Sequence, residues 1–357
     1  MQVSTHKYEK SELNWSNLVQ QLISKKELSS SQAYSAMAAL LGDEVSPVIA
    51  AAFLVALRAK GESVQEMVGM ANAMIEFGLH VDYEGELLDT CGTGGDQKHT
   101  VNVSTMAALV CAGAGVKVAK HGNRAASSKA GSADVLENLG VKIDLGPKGV
   151  AQCIRRTNMG FCMAPVFHKA MAHVVPIRRA LGIPTAFNFL GPLVNPAMAK
   201  YQIVGVFDPS MLMTMAKVLG ELGSNHALVI HAKDGYDELS ITSQNTVIEL
   251  KRDDRGEVVF DEYILDPGDY GFAACDPSAL EGGDAVTNAK ALLSVLLGEK
   301  GPIRDIVLLN SGAALYVSGA SVSISAGIEL ATQVIDSGAA KRTLDLLVEV
   351  SNSCDLN

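Results

Sequence analysis

Residues 89–105, DTCGTGGDQKHTVNVST, set three glycines, an aspartate and a cluster of hydroxyl and amide side chains just after an apolar stretch. Such a run either connects two elements by a tight turn or binds something bulky and anionic through its bare backbone. Gly92, Gly94 and Gly95 carry no Cβ, so several backbone N–H groups can converge on phosphate oxygens as a nest. Asn102, Ser104 and Thr105 then stand at the start of a helical pattern. Free amides and partial positive charge at that end favour a phosphate.

A second loop, KHGNRAASSKAGSAD at 120–134, crowds Lys120, His121, Asn123, Arg124, Ser127, Ser128, Lys129 and Ser132 into a short stretch, with Gly122 and Gly131 permitting close backbone approach. The alternatives here are surface charge for Lys129 and a hydrogen-bonded structural role for His121. Two such loops on successive strands would cradle more than one phosphate. In KDGYDELS, residues 233–240, adjacent Asp237 and Glu238 can converge on a hard cation only from a loop, since on a strand they would face opposite sides. Alone, the pair reads as solvated surface charge; beside a polyphosphate cradle it reads as a magnesium site. The fourth element is FHKAMAHVVPIRRALG, residues 167–182, with His168, His173, Arg178 and Arg179. On a helix adjacent arginines point ~100° apart, so one of them at most faces a buried site. A planar guanidinium suits both oxygens of a carboxylate.

The elements that must hold these loops are legible from periodicity. Residues 13–80 read as about four helices, with capping-box spacing at Ser29/Gln32 and Ser63/Glu66 and a Ser46–Pro47 start. From about residue 85, strand, loop and helix alternate: ELLD, the glycine loop, the helix STMAALVCAGAG, the strand VKVAKHGN, the helix GSADVLENLG and the strand VKIDLG. YQIVGVFD, HALVIHAKDG, TVIEL and EVVFDEYIL read as further strands, and 287–350 as helical. The expected fold is α/β: a small helical domain plus a larger α/β domain whose mostly parallel central sheet is flanked by helices. Ligands of such sheets gather at the carboxyl ends of the strands.

The chain has 357 residues, 48% hydrophobic and 19% charged, with a formal net charge of −10. That balance argues against a nucleic-acid or anionic-membrane partner and confines any anion site to a local basic island. A start of MQVSTHKYEKSELNW without an apolar core, and the lack of a spanning-length apolar run, lead us to expect a cytoplasmic protein. Six cysteines without a CxxC pair are expected as reduced thiols.

Four stretches, GTGGD…TVNVST, KHGNRAASSKAGSADVLE, HKAMAHVVPIRRALGIPTAFNFLGPLVNPA and DELS, occur in an order and spacing that resemble the anthranilate phosphoribosyltransferase family, and the likeness runs from about residue 15 to the C-terminus. That family joins anthranilate to phosphoribosyl pyrophosphate. The resemblance implies a helical domain over 1–82, joined by about 180–200 and forming a homodimer, and an α/β donor-binding domain over 83–357. It implies that phosphoribosyl pyrophosphate is met by Gly92, Gly95, Asp96, Thr100, Asn102, Val103, Ser104, Thr105, Lys120, His121, Gly122, Asn123, Arg124, Ser127, Ser128 and Ser132. Anthranilate is expected at Gly92, Asn123 and Arg178, with His121 and His168 lining its entry. Ser104, Asp237 and Glu238 are expected to hold Mg2+, two ions per subunit, and Lys120 and Arg178 to serve catalysis.

Gln97 and Lys98 stand where the family often has glycine and another small residue, and Lys169 replaces a usual proline. Two rivals are a pyrimidine nucleoside phosphorylase on a related fold and a non-catalytic relative binding nucleic acid. The first needs only one small anion, and the second is opposed by the acidic balance.

Overall fold

A computed structural model describes residues 13–96, 98–125, 129–253 and 255–354. Helices α1 (Trp15–Ile23), α2 (Ser30–Leu41), α3 (Pro47–Lys60) and α4 (Val64–Glu76) come first. Both expected capping boxes form, and Ser46 accepts from the Ile49 amide ahead of Pro47. Glu66 does more than cap: fully buried, it accepts from the amides of Ser63 (2.8 Å) and Leu28 (2.9 Å) and from Lys60 Nζ (2.8 Å). Helices α2 and α4 approach so closely at Gly69 that a Cβ there would lie 2.1 Å from the Ser30 carbonyl oxygen.

The next elements are β1 (Leu88–Gly92), α5 (Val103–Gly113), β2 (Val118–Gly122), α6 (Ser132–Asn138), α7 (Pro147–Thr157) and β3 (Met159–Met163). Short helices α8 (Ala164–Phe167), α9 (Val175–Leu181) and α10 (Phe187–Leu190) lead to β4 (Tyr201–Gly205), α11 (Leu212–Glu221), β5 (His226–Ala232), β6 (Asn245–Arg252) and β7 (Val258–Leu265). Helices α12 (Ala285–Leu296), α13 (Pro302–Val317), α14 (Ile324–Asp336) and α15 (Ala339–Ser353) complete the described chain. The seven strands form one sheet in the order β3-β2-β1-β4-β5-β6-β7, parallel through β5 and antiparallel at the last two pairings.

One expected strand is absent. VKIDLG, 141–146, is an extended connection between α6 and α7, and the place beside β2 belongs to β3. Val141, Ile143 and Leu145 are buried at alternate positions, so the period-2 pattern reports burial of one side without ladder pairing.

Alternation along the strands sorts the core into two layers. Ile203, Leu228, Ile230 and Val247 face one apolar cluster with α5–α7 and α12–α15, while Val204, Ala227, Val229 and Ile248 face the other with α1–α4 and α11. Ala186, Phe187, Phe189, Leu190, Leu193 and Val194 belong to that second cluster, whereas Ala199 belongs to the first. The cysteines are free thiols. No helix among the described residues is long and apolar enough to cross a membrane.

Candidate active site

The chain leaves β1 toward β2 on one side, while β4 lies on the other, so the sheet reverses its winding between them. At this switch point a crevice opens beyond the strand ends. Gly92 and Gly205 are register partners that end the two strands. Both are glycine for one reason: Asp237 lies across them. A Cβ on Gly92 would fall 2.3 Å from Asp237 Oδ2, and one on Gly205 would fall 1.5 Å from the Asp237 carbonyl oxygen.

Beyond Gly92 the chain turns through Gly94 (φ +65°) and Gly95 (φ +83°), left-handed conformations suited to glycine. Thr93 donates its amide to the Gly205 carbonyl (2.8 Å), and its hydroxyl oxygen accepts from the Phe207 amide (3.1 Å). Asp237 Oδ2 accepts from the Gly94 amide (2.7 Å), and Glu238 Oε1 accepts from the Ser104 amide (3.1 Å) in the first turn of α5. The DELS loop is therefore fastened to both ends of the glycine loop. Lys120, 2% exposed in the middle of β2, donates to the Thr90 carbonyl (2.5 Å) and to Ser104 Oγ (3.2 Å).

These groups line a cleft of about 530 Å³. Gly92, Gly95, Asp96, Thr100, Asn102, Ser104, Thr105, Lys120, His121, Gly122, Asn123, Arg124, Ser132, His168, Arg178, Asp237 and Glu238 all border it. Val103 does not: it opens α5 fully buried. Ser127, Ser128 and the departure at Gln97 lie outside the described residues. Arg124 borders the cleft, yet its guanidinium is engaged by Asp134 (3.0 Å) and Glu137 (2.7 and 2.9 Å). Asn123 Oδ1 accepts from the Arg124 amide, stiffening the turn itself. Lys98 lies outside the lining, with its ammonium over the Tyr236 ring, whereas Lys169 is exposed at the cleft border.

Burial, then the neighbouring charges of Asp96 and Glu238, push Asp237 well above the ordinary aspartate range. Burial also raises Glu238 to about 7, although Lys120 and the Ser104 contacts favour its charged form. Ionised together beside Asp96, the two buried carboxyls would carry more negative charge than the neighbouring Lys120 offsets, so a bound cation would favour their charged forms. With the Ser104 hydroxyl they form an all-oxygen donor set, the chemistry that Mg2+ prefers. No group of three or more His, Cys, Asp or Glu side chains forms a ready metal cage among the described residues. Mg2+ is commonly bound by one or two carboxylates, with water and substrate oxygens completing its shell.

Other lining residues have different chemistry. His121 Nδ1 donates to the Gly191 carbonyl (3.1 Å), His168 Nε2 donates to the Val194 carbonyl (3.1 Å), and the rings lie 5.3 Å apart. Burial, reinforced by His168, lowers His121 to about 3, and burial lowers His168, so both imidazoles are neutral near pH 7. The tautomer fixed by Gly191 leaves His121 Nε2 as a buried acceptor without a hydrogen-bond partner among the described residues. Arg178 is half-buried against Phe187, with its guanidinium carbon 5.4 Å from the ring centroid. No ion-pair partner of Arg178 occurs among the described residues, and Arg179 is exposed, outside the lining.

Two contributors escaped the sequence reading. Gly205 ends a strand, where a glycine signals close backbone approach. Asp89, fully buried, accepts from the His121 amide (3.2 Å) and Asn195 Nδ2 (2.7 Å), tying β1 to β2 and to the segment after α10; an acid inside an apolar strand was its signal.

A family model described as "Glycosyl transferase family, a/b domain" matches residues 84–341, and "Glycosyl transferase family, helical bundle domain" matches 16–78. Anthranilate phosphoribosyltransferase of Symbiobacterium thermophilum is 47% identical over 336 residues, covering 94% of this chain and 97% of that protein. The Acetivibrio thermocellus enzyme of that name is 48% identical over 339 residues, covering 94% and 96%. The crystal structure of the Thermus thermophilus enzyme superposes with a TM-score of 0.87 at 44% identity, covering 94% of this chain and 99% of that one. The Saccharomyces cerevisiae enzyme in complex with phosphoribosyl pyrophosphate and Mg superposes with a TM-score of 0.86 at 29% identity, covering 96% and 99%. Two glycine-ended strands, a carboxylate-bearing loop across them and near-complete similarity to these enzymes lead to one assignment: the chain belongs to the anthranilate phosphoribosyltransferase family.

Proposed function

We propose that the chain transfers the phosphoribosyl group of phosphoribosyl pyrophosphate to the amine of anthranilate, giving N-(5-phosphoribosyl)anthranilate and pyrophosphate, the second step of tryptophan biosynthesis from chorismate. The observation that carries this reading is the division of one cleft into two chemistries. Oxygen donors and bare amides gather at the strand ends, and an arginine without an internal carboxylate partner among the described residues lines the same cleft with two neutral histidines. The yeast relative has also been captured with 4-fluoroanthranilate, which supports an aromatic amine as acceptor.

The bond between the anomeric carbon and the pyrophosphate oxygen breaks as the bond to the aromatic nitrogen forms, with inversion. The ribose ring oxygen shares the developing positive charge, and the leaving pyrophosphate takes the electron pair. An aniline nitrogen is already unprotonated near pH 7, so no base is needed before attack; the proton made acidic by the new C–N bond leaves to the departing pyrophosphate or to solvent, and the neutral histidines take part only as hydrogen-bonding groups. Lys120 and the loop amides stabilise the charge growing on pyrophosphate, and Arg178 places the amine in line by holding the acceptor carboxylate. Bound Mg2+, held by Ser104, Asp237 and Glu238, would neutralise the diphosphate. We read two ions per subunit, the first eighty residues with 180–200 as one unit, and a cytoplasmic homodimer. Exposed Val48, Ala52, Val55 and Ala59 form a small-residue stripe along α3 that supports such an interface.

Loss of anthranilate fluorescence in the complete mixture, and no loss when donor, Mg2+ or protein is omitted, is the expected result. Fluorescence that persists in the complete mixture with folded protein rejects the proposal. Thymidine cleavage dependent on inorganic phosphate would establish the phosphorylase alternative in its place.

A further inference from the structure

The glycine loop is held from behind by a segment with no part in the cleft. Val101 donates its amide to the Leu280 carbonyl (3.1 Å), Thr100 bridges Glu281, and Gly282 donates to the His99 carbonyl (2.7 Å). The strap lies so close that a Cβ on Gly282 would fall 2.7 Å from Asn288 Oδ1 and 2.8 Å from the Thr100 carbonyl oxygen. Asn288, 1% exposed in the first turn of α12, accepts from the Gly283 amide (2.7 Å) through Oδ1 and donates through Nδ2 to Asn102 Oδ1 (2.8 Å). Asn102 in turn donates Nδ2 to the Ala130 carbonyl (3.2 Å) of the second loop.

The polarity of this chain is fixed at both ends, because it meets the N–H of Gly283 at one end and the C=O of Ala130 at the other. Neither amide can reverse without setting like atoms against each other. The side chain of Asn102, which borders the cleft, is thereby a joint between the two loops, with both ends engaged.

We infer that Asn288 is a positioning residue for the phosphate-binding loops, acting through Asn102 to set the spacing of the glycine loop and the 120–134 loop. This rests on the proposed function, since the affected step is capture of the pyrophosphate donor. An aspartate at 288 still accepts from Gly283 but cannot donate to Asn102. The Asn102 amide then turns toward the carboxylate and presents its oxygen to Ala130, parting the loops.

The test is steady-state kinetics with donor and acceptor varied separately, for the wild-type chain, Asn288→Asp, Asn288→Ser, Asn102→Ala and the Asn102→Ala/Asn288→Ser double variant, all assayed below their melting temperatures. Leaving one buried polar group unpaired predicts a rise of roughly tenfold in the KM for phosphoribosyl pyrophosphate in both Asn288 variants, with the anthranilate KM within about twofold. In the Asn102→Ala background the Asn288 change should add less than about twofold, because its route to the second loop is already cut. An unchanged donor KM, equal rises for both substrates, full additivity, or failure of both Asn288 variants to fold overturns the role. A wild-type chain without turnover would instead refute the proposed function, whereas turnover by wild type with variants matching its donor KM overturns Asn288 alone.

Discussion

Arg178→Ala should weaken anthranilate capture far more than donor capture. The guanidinium is half-buried, stacked against Phe187 at 5.4 Å, and pulled below its ordinary pKa by burial without a compensating acid. An incoming carboxylate therefore displaces no internal partner and meets a cation already partly stripped of water. Hydrogen bonds to a charged group contribute about 1.5–3 kcal/mol. At about 1.4 kcal/mol per decade, the KM for anthranilate should rise roughly 10- to 150-fold, toward the upper part of that range because little competes for the guanidinium. The donor KM should move less than about threefold. Arg178→Lys keeps the charge but loses the planar fork, and should fall between. Arg179→Ala is the control, since that side chain is exposed outside the cleft. Initial rates from anthranilate fluorescence, with each substrate varied at saturation of the other, give both constants. Equal rises for the two substrates, or an unchanged acceptor KM, would refute the carboxylate-binding role.

Gly92→Ala places a methyl 2.3 Å from Asp237 Oδ2, so the carboxylate must leave the Gly94 amide. Overpacking of this kind costs about 1–3 kcal/mol; calorimetric scanning should show a lower Tm, and Mg2+-dependent turnover should be lost. Burial works to raise Glu249, but hydrogen bonds from His226, Lys251 and Tyr316 outweigh it and hold the group at about 2. A folded-state pKa below the ordinary 4.5 contributes stability that is complete above that value and lost as pH falls toward 2. Tm profiles of wild type and Glu249→Gln should therefore converge over that window; parallel profiles would exclude this contribution. His121, lowered by burial and by His168 to about 3, likewise contributes stability that is complete above 6.5 and declines as pH drops below it. Nuclear magnetic resonance of the His121 ring should show no protonation between pH 8 and 5, and a midpoint near 6.5 would contradict its burial.

What the sequence made legible was local. The caps at Ser29, Ser46 and Ser63, the two glycine loops and the adjacent carboxylates declare themselves within a few residues, since each depends on neighbours along the chain. Contacts between distant segments left weaker marks. Gly205 is explained by Asp237 thirty-two positions later, and Asn288 donates to Asn102, 186 positions earlier. VKIDLG misled because alternating burial does not require a ladder partner, and the strand that took its place, Met159–Met163, is buried along its whole length and shows no alternation. Arg124 shows a further limit: its position in the motif says nothing of Asp134 and Glu137, which engage its guanidinium.

Calorimetric titration of the folded chain with phosphoribosyl pyrophosphate, with and without Mg2+, addresses the oxygen-lined end of the cleft most directly. Saturable heat that requires Mg2+ and disappears in Asp237→Asn is the expected result. Equal binding without the ion, or an unaltered titration in that variant, would contradict a donor pocket built on metal and main-chain amides.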